Sequence, residues 1–283
     1  MKRIDKMQIA MIGDKMLPLE DVGPEYLDRG IFFGDGVYEV LRSYNGKIFA
    51  IDEHIARFER SLGEIEILGV DIDEIRTRVK RAFDKAGLAN AKIYFHITRG
   101  SGKRDHLPEA NIKPNFFLTV MELKDNAKLK DEGVAVSIYP DIRWKRCDIK
   151  SLNLLANVLA KQDAEKKGCW EAVFVDDASF ITEGSSSAFF AVAGDKLQTA
   201  PLNANILPSV TRKYIVKAAA NIGLKIVEES LTPVAARIAG ELFLGVTTRD
   251  IIPVVKFDGQ VIGSGRPGKW TKLLIEEFKK FTT

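Results

Sequence analysis

Cysteine, histidine and long apolar runs are scarce in this sequence, and each shortage excludes a class of protein. The two cysteines, Cys147 and Cys169, match neither a disulfide framework nor a metal site, which favours a reducing cytoplasm as the location. The three histidines, His54, His96 and His106, are too widely spaced for a zinc motif. Charged residues interrupt every apolar run well before about 18 residues, so we expect no membrane-spanning segment.

Excess charge is also missing. Forty-two basic residues nearly balance 39 acidic ones, which gives a formal net charge of +3 over 283 residues. A nucleic-acid-binding protein would concentrate basic charge on one face, so we expect no nucleic-acid partner. The N-terminal segment has no clean apolar core and no small-residue cleavage site, so no signal peptide is predicted. The hydrophobic fraction of 46% is that of an ordinary globular protein with one large or two medium domains.

Apolar periodicity and turn signals predict alternating strands and helices. Residues 1–20 are predicted as short strands around Gly13-Asp14, and Asn45-Gly46 predicts a hairpin. A helix is predicted over Asp52–Leu68, with Asp52 as its N-cap. The other predicted helices are Asp73–Ala86, Leu152–Lys167, Arg212–Gly223, Pro233–Ala239 and Trp270–Phe281. The polar residues 124–132 are predicted to link a domain of residues 1–123 to a second of residues 133–283.

The stretch Asp141–Asn153, DIRWKRCDIKSLN, contains the lysine with the most unusual position. Lys150 follows an apolar residue at a predicted strand end, and the capping-type residues Ser151 and Asn153 come after it. Most lysines are solvated surface charges. A lysine at a strand-to-helix junction can be partly dehydrated, which frees its amine for Schiff-base chemistry. Position alone leaves both interpretations open.

Cationic side chains recur in two patterns that suit anions. His54, Arg57 and Ser61 share one face of a predicted helix, where they either bind an anion or form a solvated row. Arg104 and His106 lie two residues apart in a loop, so in an extended chain their side chains point the same way. A guanidinium and an imidazole aimed together suit a carboxylate, and the alternative is a flexible basic loop.

Three further positions have a functional and a structural interpretation. Glu183 precedes Gly184 and three serines between apolar runs, so it is either part of a polar surface loop or a buried carboxylate that needs a partner, such as a protonated ring nitrogen. The segment 208–211, PSVT, begins a predicted helix, whose free N–H groups form an anion site or an ordinary cap. Tyr38 faces a cleft or merely belongs to a glycine-rich approach to the hairpin.

These segments together resemble the fold-type IV pyridoxal-phosphate enzymes, and most of all the bacterial D-amino acid aminotransferases. The resembling stretches, which lie between residues 28 and 274, are DRGIFFGDGVYEV, EHIARFERS, IYFHITRGSGKRDH, DIRWKRCDIKSLNLLANVLAKQ, TEGSSS, ILPSVTRK and GKWTKLL. The resemblance implies a two-domain α/β fold of the α+β type. Its N-terminal α/β domain would be small, and its larger C-terminal domain would be β-barrel-like with flanking helices.

The resemblance also implies a cofactor, pyridoxal 5′-phosphate, and residues that bind it. Lys150 would hold the cofactor as a Schiff base and move the proton between the substrate Cα and the cofactor C4′. Glu183 would pair with the pyridinium nitrogen and keep the ring an electron sink. The full set of implied cofactor-binding residues is Arg57, Lys150, Glu183, Leu207, Val210, Thr211, Val246 and Thr247. Val246 is a departure, because the resembling enzymes often have a serine there, and a valine offers only its backbone N–H to the phosphate.

The substrate residues follow from the same resemblance. Tyr38, Arg104 and His106 resemble the groups that bind the substrate α-carboxylate. In the resembling enzymes the arginine and the histidine come from the neighbouring subunit, so a homodimer is implied. The residues expected to line the rest of the substrate site are Ser185, Ser186 and Ser187.

The predicted activity is transfer of the amino group of a D-amino acid, such as D-alanine, to 2-oxoglutarate or pyruvate in a ping-pong cycle. Branched-chain L-amino acid aminotransferases usually lack the Arg-x-His loop, and (R)-amine transaminases accept substrates without a carboxylate. Arg104 and His106 therefore favour D-amino acids over both alternatives. Two rivals of other classes are a non-catalytic protein that carries the cofactor and an α/β scaffold with no cofactor.

Overall fold

The computed structural model describes residues 7–124, 127–203 and 205–282, and all strands and helices named below lie in these ranges. The strands are β1 (Ile9–Ile12), β2 (Lys15–Pro18), β3 (Gly36–Tyr44), β4 (Lys47–Ile48), β5 (Ala91–Thr98), β6 (Asn115–Glu122), β7 (Val134–Pro140), β8 (Glu171–Val175), β9 (Ile181–Gly184), β10 (Ala188–Ala193), β11 (Lys196–Thr199), β12 (Lys225–Glu228), β13 (Glu241–Val246), β14 (Asp250–Phe257) and β15 (Gln260–Val261). The helices are α1 (Arg29–Phe33), α2 (Ile51–Glu64), α3 (Ile72–Ala86), α4 (Ala127–Glu132), α5 (Leu155–Lys166), α6 (Val210–Asn221), α7 (Pro233–Ile238) and α8 (Lys269–Lys279).

A small antiparallel sheet, in the order β4-β3-β5-β6, forms the N-terminal part of the fold. Because side chains alternate along a strand, one face of β3 carries Val37 and Leu41 into a core shared with α2 and α3. The opposite face carries Tyr38 and Val40, which line a cavity. The strand therefore joins the stable core to the functional site.

A larger, curled sheet forms the C-terminal part, in the order β12-β11-β10-β13-β14-β7-β8-β9 with β15 on β14. Both of its faces are covered. Phe190 and Phe243 stack at 4.9 Å on the face that packs against α6 and α8. Phe189 and Leu242 point to the other face, which α7 covers. This mixed architecture confirms the predicted fold class.

Two predicted helix starts are wrong. Helix α2 begins at Ile51 after Ala50, whose φ of 50° sets the cap, so Asp52 is inside the helix and is not its N-cap. Helix α5 begins at Leu155, later than predicted, and no side chain caps it. The reason is that the backbone of residues 150–152 is hydrogen-bonded to β3, with Ser151 bridged to Val37.

The N-terminal hairpin and the domain boundary fall partly on residues outside the described ranges. Strands β1 and β2 surround Gly13 as predicted, while residues 1–6 lie outside those ranges. Within the predicted linker 124–132, residues 125 and 126 are likewise outside, and α4 packs Leu129 against the core of the large sheet. The division into two domains stays a prediction. Among the described residues no helix is long and apolar enough to cross a membrane.

Candidate active site

A cavity of about 560 Å³ lies between the small and the large sheet. Ten of the residues singled out from the sequence line it: Tyr38, Arg57, Lys150, Glu183, Ser185, Ser186, Ser187, Leu207, Val246 and Thr247. Val210 and Thr211 are buried at the start of α6, and Thr211 Oγ1 lies 3.3 Å from Thr247 Oγ1. The fold thus brings most of the predicted site together.

Lys150 is held in place by its backbone and is not at a strand end. Strand β7 ends at Pro140, so the prediction of a strand just before Lys150 is wrong. The Lys150 carbonyl accepts from the Tyr38 N–H at 3.0 Å, and the Lys150 N–H donates to Ser61 Oγ at 3.3 Å. Its Nζ lies 4.1 Å from the centroid of the Tyr38 ring, and among the described residues it forms no ion pair with a carboxylate. The amine is therefore available in the cavity.

Glu183 is a buried carboxylate with one oxygen left for a ligand. Arg143 Nη1 donates to Glu183 Oε1 at 2.5 Å, and the Leu207 N–H donates to the same oxygen at 3.1 Å. Burial raises the pKa of Glu183 above its ordinary value, and the charge and hydrogen bond of Arg143 oppose that rise. Oε2 has no hydrogen-bond partner among the described residues. A cationic ring N–H would fit it.

Arg143 is a site residue that the sequence reasoning did not identify. Its guanidinium also donates to Asp141 Oδ2 at 2.7 Å and to the Asn205 carbonyl at 3.1 Å, and it lies 4.3 Å from the centroid of the Phe174 ring. Burial alone would raise the pKa of Asp141, but Arg143 holds it below its ordinary value. The i, i+2 spacing of Asp141 and Arg143 was the one local signal for this pairing.

Arg57 lies at the other end of the cavity, and Glu39 fixes its orientation. Arg57 Nε and Nη2 donate to the two oxygens of Glu39 at 2.7 and 2.8 Å, and Nη1 donates to the Pro208 carbonyl at 3.0 Å. His54 Nδ1 lies 2.7 Å from Glu39 Oε2. His54, Arg57 and Ser61 are all buried, so this row is not a solvated face. Glu39 was missed because nothing in the sequence tells which residue of an alternating strand will meet Arg57.

The charges in this cluster are strongly perturbed. Burial would raise the pKa of Glu39, but the charges and hydrogen bonds of Arg57 and His54 hold it well below its usual range. Burial lowers the pKa of His54, and the charges of Arg57 and Lys150 add to that effect against the pull of Glu39. Glu39 is therefore ionised beside Arg57, while His54 favours its neutral form.

An anion would meet both Arg57 and a helix N-terminus here. Helix α6 begins after Ser209, whose Oγ accepts from the Arg212 N–H at 3.1 Å, and Arg57 reaches the carbonyl of Pro208 just before it. Free N–H groups and the helix dipole favour negative charge at such a point. Thr247 lies beside it. Arg249 does not line the cavity, and its Nη1 donates to the Thr248 carbonyl at 2.9 Å.

The three serines differ in what they offer to a ligand. The hydroxyls of Ser185 and Ser186 both donate to Glu171, a fully buried carboxylate on β8. Asn157 Nδ2 also donates to the Ser185 carbonyl at 2.9 Å. The buried Ser187 Oγ has no hydrogen-bond partner among the described residues. Ser187 is therefore the serine whose hydroxyl remains for a bound molecule.

Arg104 and His106 do not line this cavity. Both are exposed, and both pack on Phe33, with the Arg104 guanidinium 5.3 Å and the His106 ring 5.4 Å from its centroid. Arg29 donates to the carbonyls of Asp105 at 2.6 Å and His106 at 2.9 Å. Arg29 therefore fixes the backbone of this loop. His106 lines a second, smaller cavity, which shares Trp144, Ser151 and Asn153 with the wall of the large one.

The donor set of the large cavity fits pyridoxal 5′-phosphate. The amine of Lys150 can react with an aldehyde, and Glu183 Oε2 can accept from a pyridinium N–H. Arg57 and the start of α6 suit the phosphate. Leu207 supplies an apolar surface on the cavity wall for the ring.

Comparison with known proteins agrees with this geometry. The chain matches the family "amino-transferase class IV" over residues 36–257. It is 36% identical over 267 residues to the D-alanine aminotransferase of Bacillus licheniformis, covering 93% of each chain. It is 38% identical over 276 residues to that of Staphylococcus aureus (strain MW2), covering 97% of each chain. Its fold matches the branched-chain amino acid aminotransferase of Escherichia coli with a TM-score of 0.86 at 25% identity, covering 95% of this chain and 93% of that one. The chain belongs to the class IV aminotransferase family.

Proposed function

We propose that this chain transfers the amino group of D-amino acids, such as D-alanine, to 2-oxoglutarate or pyruvate with pyridoxal 5′-phosphate as its cofactor. The observation that carries the choice of substrate is the ordered pair Arg104 and His106, which Arg29 holds by two backbone carbonyls. A guanidinium beside an imidazole suits an α-carboxylate. The similarity to D-alanine aminotransferases over 93–97% of the chain supports the same choice.

The residues of the cavity have separate tasks in this proposal. The bound cofactor supplies the electron sink that makes the substrate Cα–H acidic. The Lys150 amine holds the cofactor and then takes the proton from Cα, and the Tyr38 ring below it keeps Nζ in position. Glu183 Oε2 holds the proton on the ring nitrogen. Arg57 and the start of α6 would hold the phosphate.

The proposal includes a homodimer, because Arg104 and His106 do not line the large cavity of their own chain. In a dimer they would bind the substrate α-carboxylate in the cavity of the partner subunit. Phe117 and Met121 of β6 lie on the face of the small sheet that also carries Tyr38 and Lys92. They are 50% and 47% exposed, and apolar side chains of this kind suit a protein interface. Gel filtration with light scattering tests the dimer. Cytoplasmic location stays a prediction, supported by two free cysteines.

The substrate test compares D-alanine, L-leucine and (R)-1-phenylethylamine under one set of conditions. We expect D-alanine to give the highest kcat/KM. Preference for L-leucine would support the branched-chain alternative, which the fold match to the Escherichia coli enzyme keeps as the second candidate. An Arg104→Ala variant that retains full D-alanine turnover would remove the role of the loop.

A spectroscopic test separates catalysis from mere cofactor carriage. A protein that uses the cofactor absorbs near the visible range, and this band changes when D-alanine is added. A band that does not respond to any amino acid would indicate a non-catalytic carrier. A colourless protein that does not bind pyridoxal phosphate would contradict the whole proposal.

A further inference from the structure

Lys92 is a cation in the active-site cavity that the proposed chemistry does not use. It lies on β5 and lines the cavity together with Tyr38 and Val40 of β3. In the register of these strands Lys92 is opposite Arg42, while Tyr94 is opposite Val40. Because paired residues of an antiparallel sheet point to the same face, Lys92 shares the cavity face of the small sheet.

No hydrogen bond or ion pair of Lys92 is found among the described residues, in contrast to the other cavity lysine outside the reacting centre. Lys161 donates to the Trp170 carbonyl, lies over the Trp170 ring and stands 3.8 Å from Glu171. Lys161 is therefore already engaged by the protein. A cation that faces a cavity without a protein partner is suited to a negatively charged ligand.

Asp250, which pairs with Arg42 opposite Lys92, already has other donors. Asp250 accepts from Arg42 at 3.0 Å, from Lys130 at 2.8 Å and from the hydroxyl of Tyr44. Arg42 also donates to the Thr248 carbonyl at 3.2 Å, so its guanidinium is turned toward the large sheet. The protein satisfies Asp250 with three other donors.

The position of Lys92 relative to the reacting centre suits a second carboxylate. Tyr38 marks the reacting end, because Lys150 Nζ lies over its ring. Arg42, which is opposite Lys92, follows four residues later on the same strand, which corresponds to about 13 Å along β3. A Lys92 side chain extended toward Tyr38 would cover part of this span, and a short dicarboxylic acid can cover the rest.

We propose that Lys92 binds the distal carboxylate of dicarboxylic substrates, namely 2-oxoglutarate as amino acceptor and D-glutamate as donor. The inference rests on the proposed function, because it places the α-carboxylate at the Tyr38 end of the same cavity. Lys92 is then the residue that distinguishes dicarboxylic from monocarboxylic substrates.

The kinetic test uses three variants of the holoenzyme. Lys92→Met keeps the length of the side chain and removes its charge. We expect it to lower the ratio of kcat/KM for D-glutamate to kcat/KM for D-alanine by about tenfold or more, the loss typical of a charge-assisted hydrogen bond. Lys92→Arg keeps the charge and should retain most of the ratio. Lys80→Met removes one exposed charge from α3 and should leave the ratio unchanged.

A binding measurement tests the same residue without turnover. Glutarate and valerate have five carbons each and differ by one carboxylate, so calorimetry on the holoenzyme isolates the distal group. We expect wild type to prefer glutarate and Lys92→Met to lose that preference. An unchanged preference, or an unchanged kinetic ratio, overturns the assignment of Lys92. A wild type that binds glutarate through Lys92 but does not turn over D-alanine instead overturns the proposed function.

Discussion

At the scale of single residues, Arg143 is the group that controls the carboxylate proposed to pair with the ring nitrogen. It opposes the rise in the pKa of Glu183 that burial causes. In Arg143→Met that opposition is lost, so the pKa of Glu183 should rise further and the acid limb of kcat should move to higher pH. A shift of one pH unit corresponds to about 1.4 kcal/mol.

The pH profile of kcat with D-alanine checks this prediction. Arg146→Met is the matched control, because Arg146 is exposed in the same loop and pairs with Asp148 and Glu64. Its acid limb should stay where the wild-type limb lies. If both variants move the limb equally, the effect belongs to the charge of the loop as a whole and not to the contact with Glu183.

A site residue could be predicted from the sequence only where its neighbours in the chain form a recognisable motif. Lys150 and Glu183 stand in short motifs, and the structure brings both into one cavity as the resemblance implied. Glu39 and Arg143 have no such motif. Their importance comes from partners 18 and 40 residues away, and only the folded chain selects those partners.

At the scale of elements, the loop that carries Arg104 and His106 depends on a residue of a short helix. Arg29 of α1 holds two carbonyls of the loop with one planar guanidinium. Arg29→Lys keeps the charge but cannot make both contacts in the same fork geometry. We expect the KM for D-alanine to rise by about tenfold, since loss of a hydrogen bond to a charged group costs about 1.5 kcal/mol.

Steady-state kinetics and a cofactor titration together check the Arg29 prediction. Affinity for pyridoxal phosphate should not change, because Arg29 does not line the large cavity. A lower cofactor affinity with an unchanged KM would show that Arg29 stabilises the fold in general and does not act through the loop.

The elements themselves were predicted well where their signal is local and poorly where the chain meets a distant strand. Strand β5 and the end of α3 at Gly87 follow from alternation and from a left-handed cap. The predicted start of α5 at Leu152 was wrong because Ser151 pairs with Val37, which lies more than 100 residues away in the sequence. Tertiary hydrogen bonds there replace the capping geometry that the sequence suggested.

At the scale of the whole molecule, Asp250 connects three parts of the chain. It lies on β14 of the large sheet, and its donors Arg42 and Tyr44 come from β3 while Lys130 comes from α4. Asp250→Asn leaves buried cations without their counter-charge, which costs about 3 kcal/mol. We expect the free energy of unfolding to fall by about this amount in urea denaturation.

A matched control for Asp250 is Glu74→Gln, which removes an exposed i, i+4 pair with Arg78 on α3. Such a pair contributes only about 0.3–0.5 kcal/mol. Equal losses in the two variants would contradict a special role for Asp250. A loss confined to Asp250→Asn, with the small sheet unfolding first, would identify this carboxylate as a link between the two sheets.

The stability of the molecule should decline on the acid side in two steps. Burial lowers the pKa of His54 from 6.5. Its contribution to the free energy of unfolding is therefore present above pH 6.5 and is lost as the pH falls below that value. Burial would raise the pKa of Glu39, but Arg57 and His54 lower it from 4.5, so the larger loss begins below pH 4.5. Glu183 has the opposite effect on stability. Because burial raises its pKa, its contribution to the free energy of unfolding is present at low pH and is lost as the pH rises.

Urea denaturation at a series of pH values separates the two steps. In His54→Gln the decline that begins below pH 6.5 should flatten, because the group that binds a proton on unfolding is gone. The steeper loss below pH 4.5 should remain, since Arg57 still holds Glu39 through two hydrogen bonds. A first step that persists in this variant would mean that another group titrates there. We then expect His96 to be that group, because burial also lowers its pKa from 6.5. In that case His96→Gln would remove the first step.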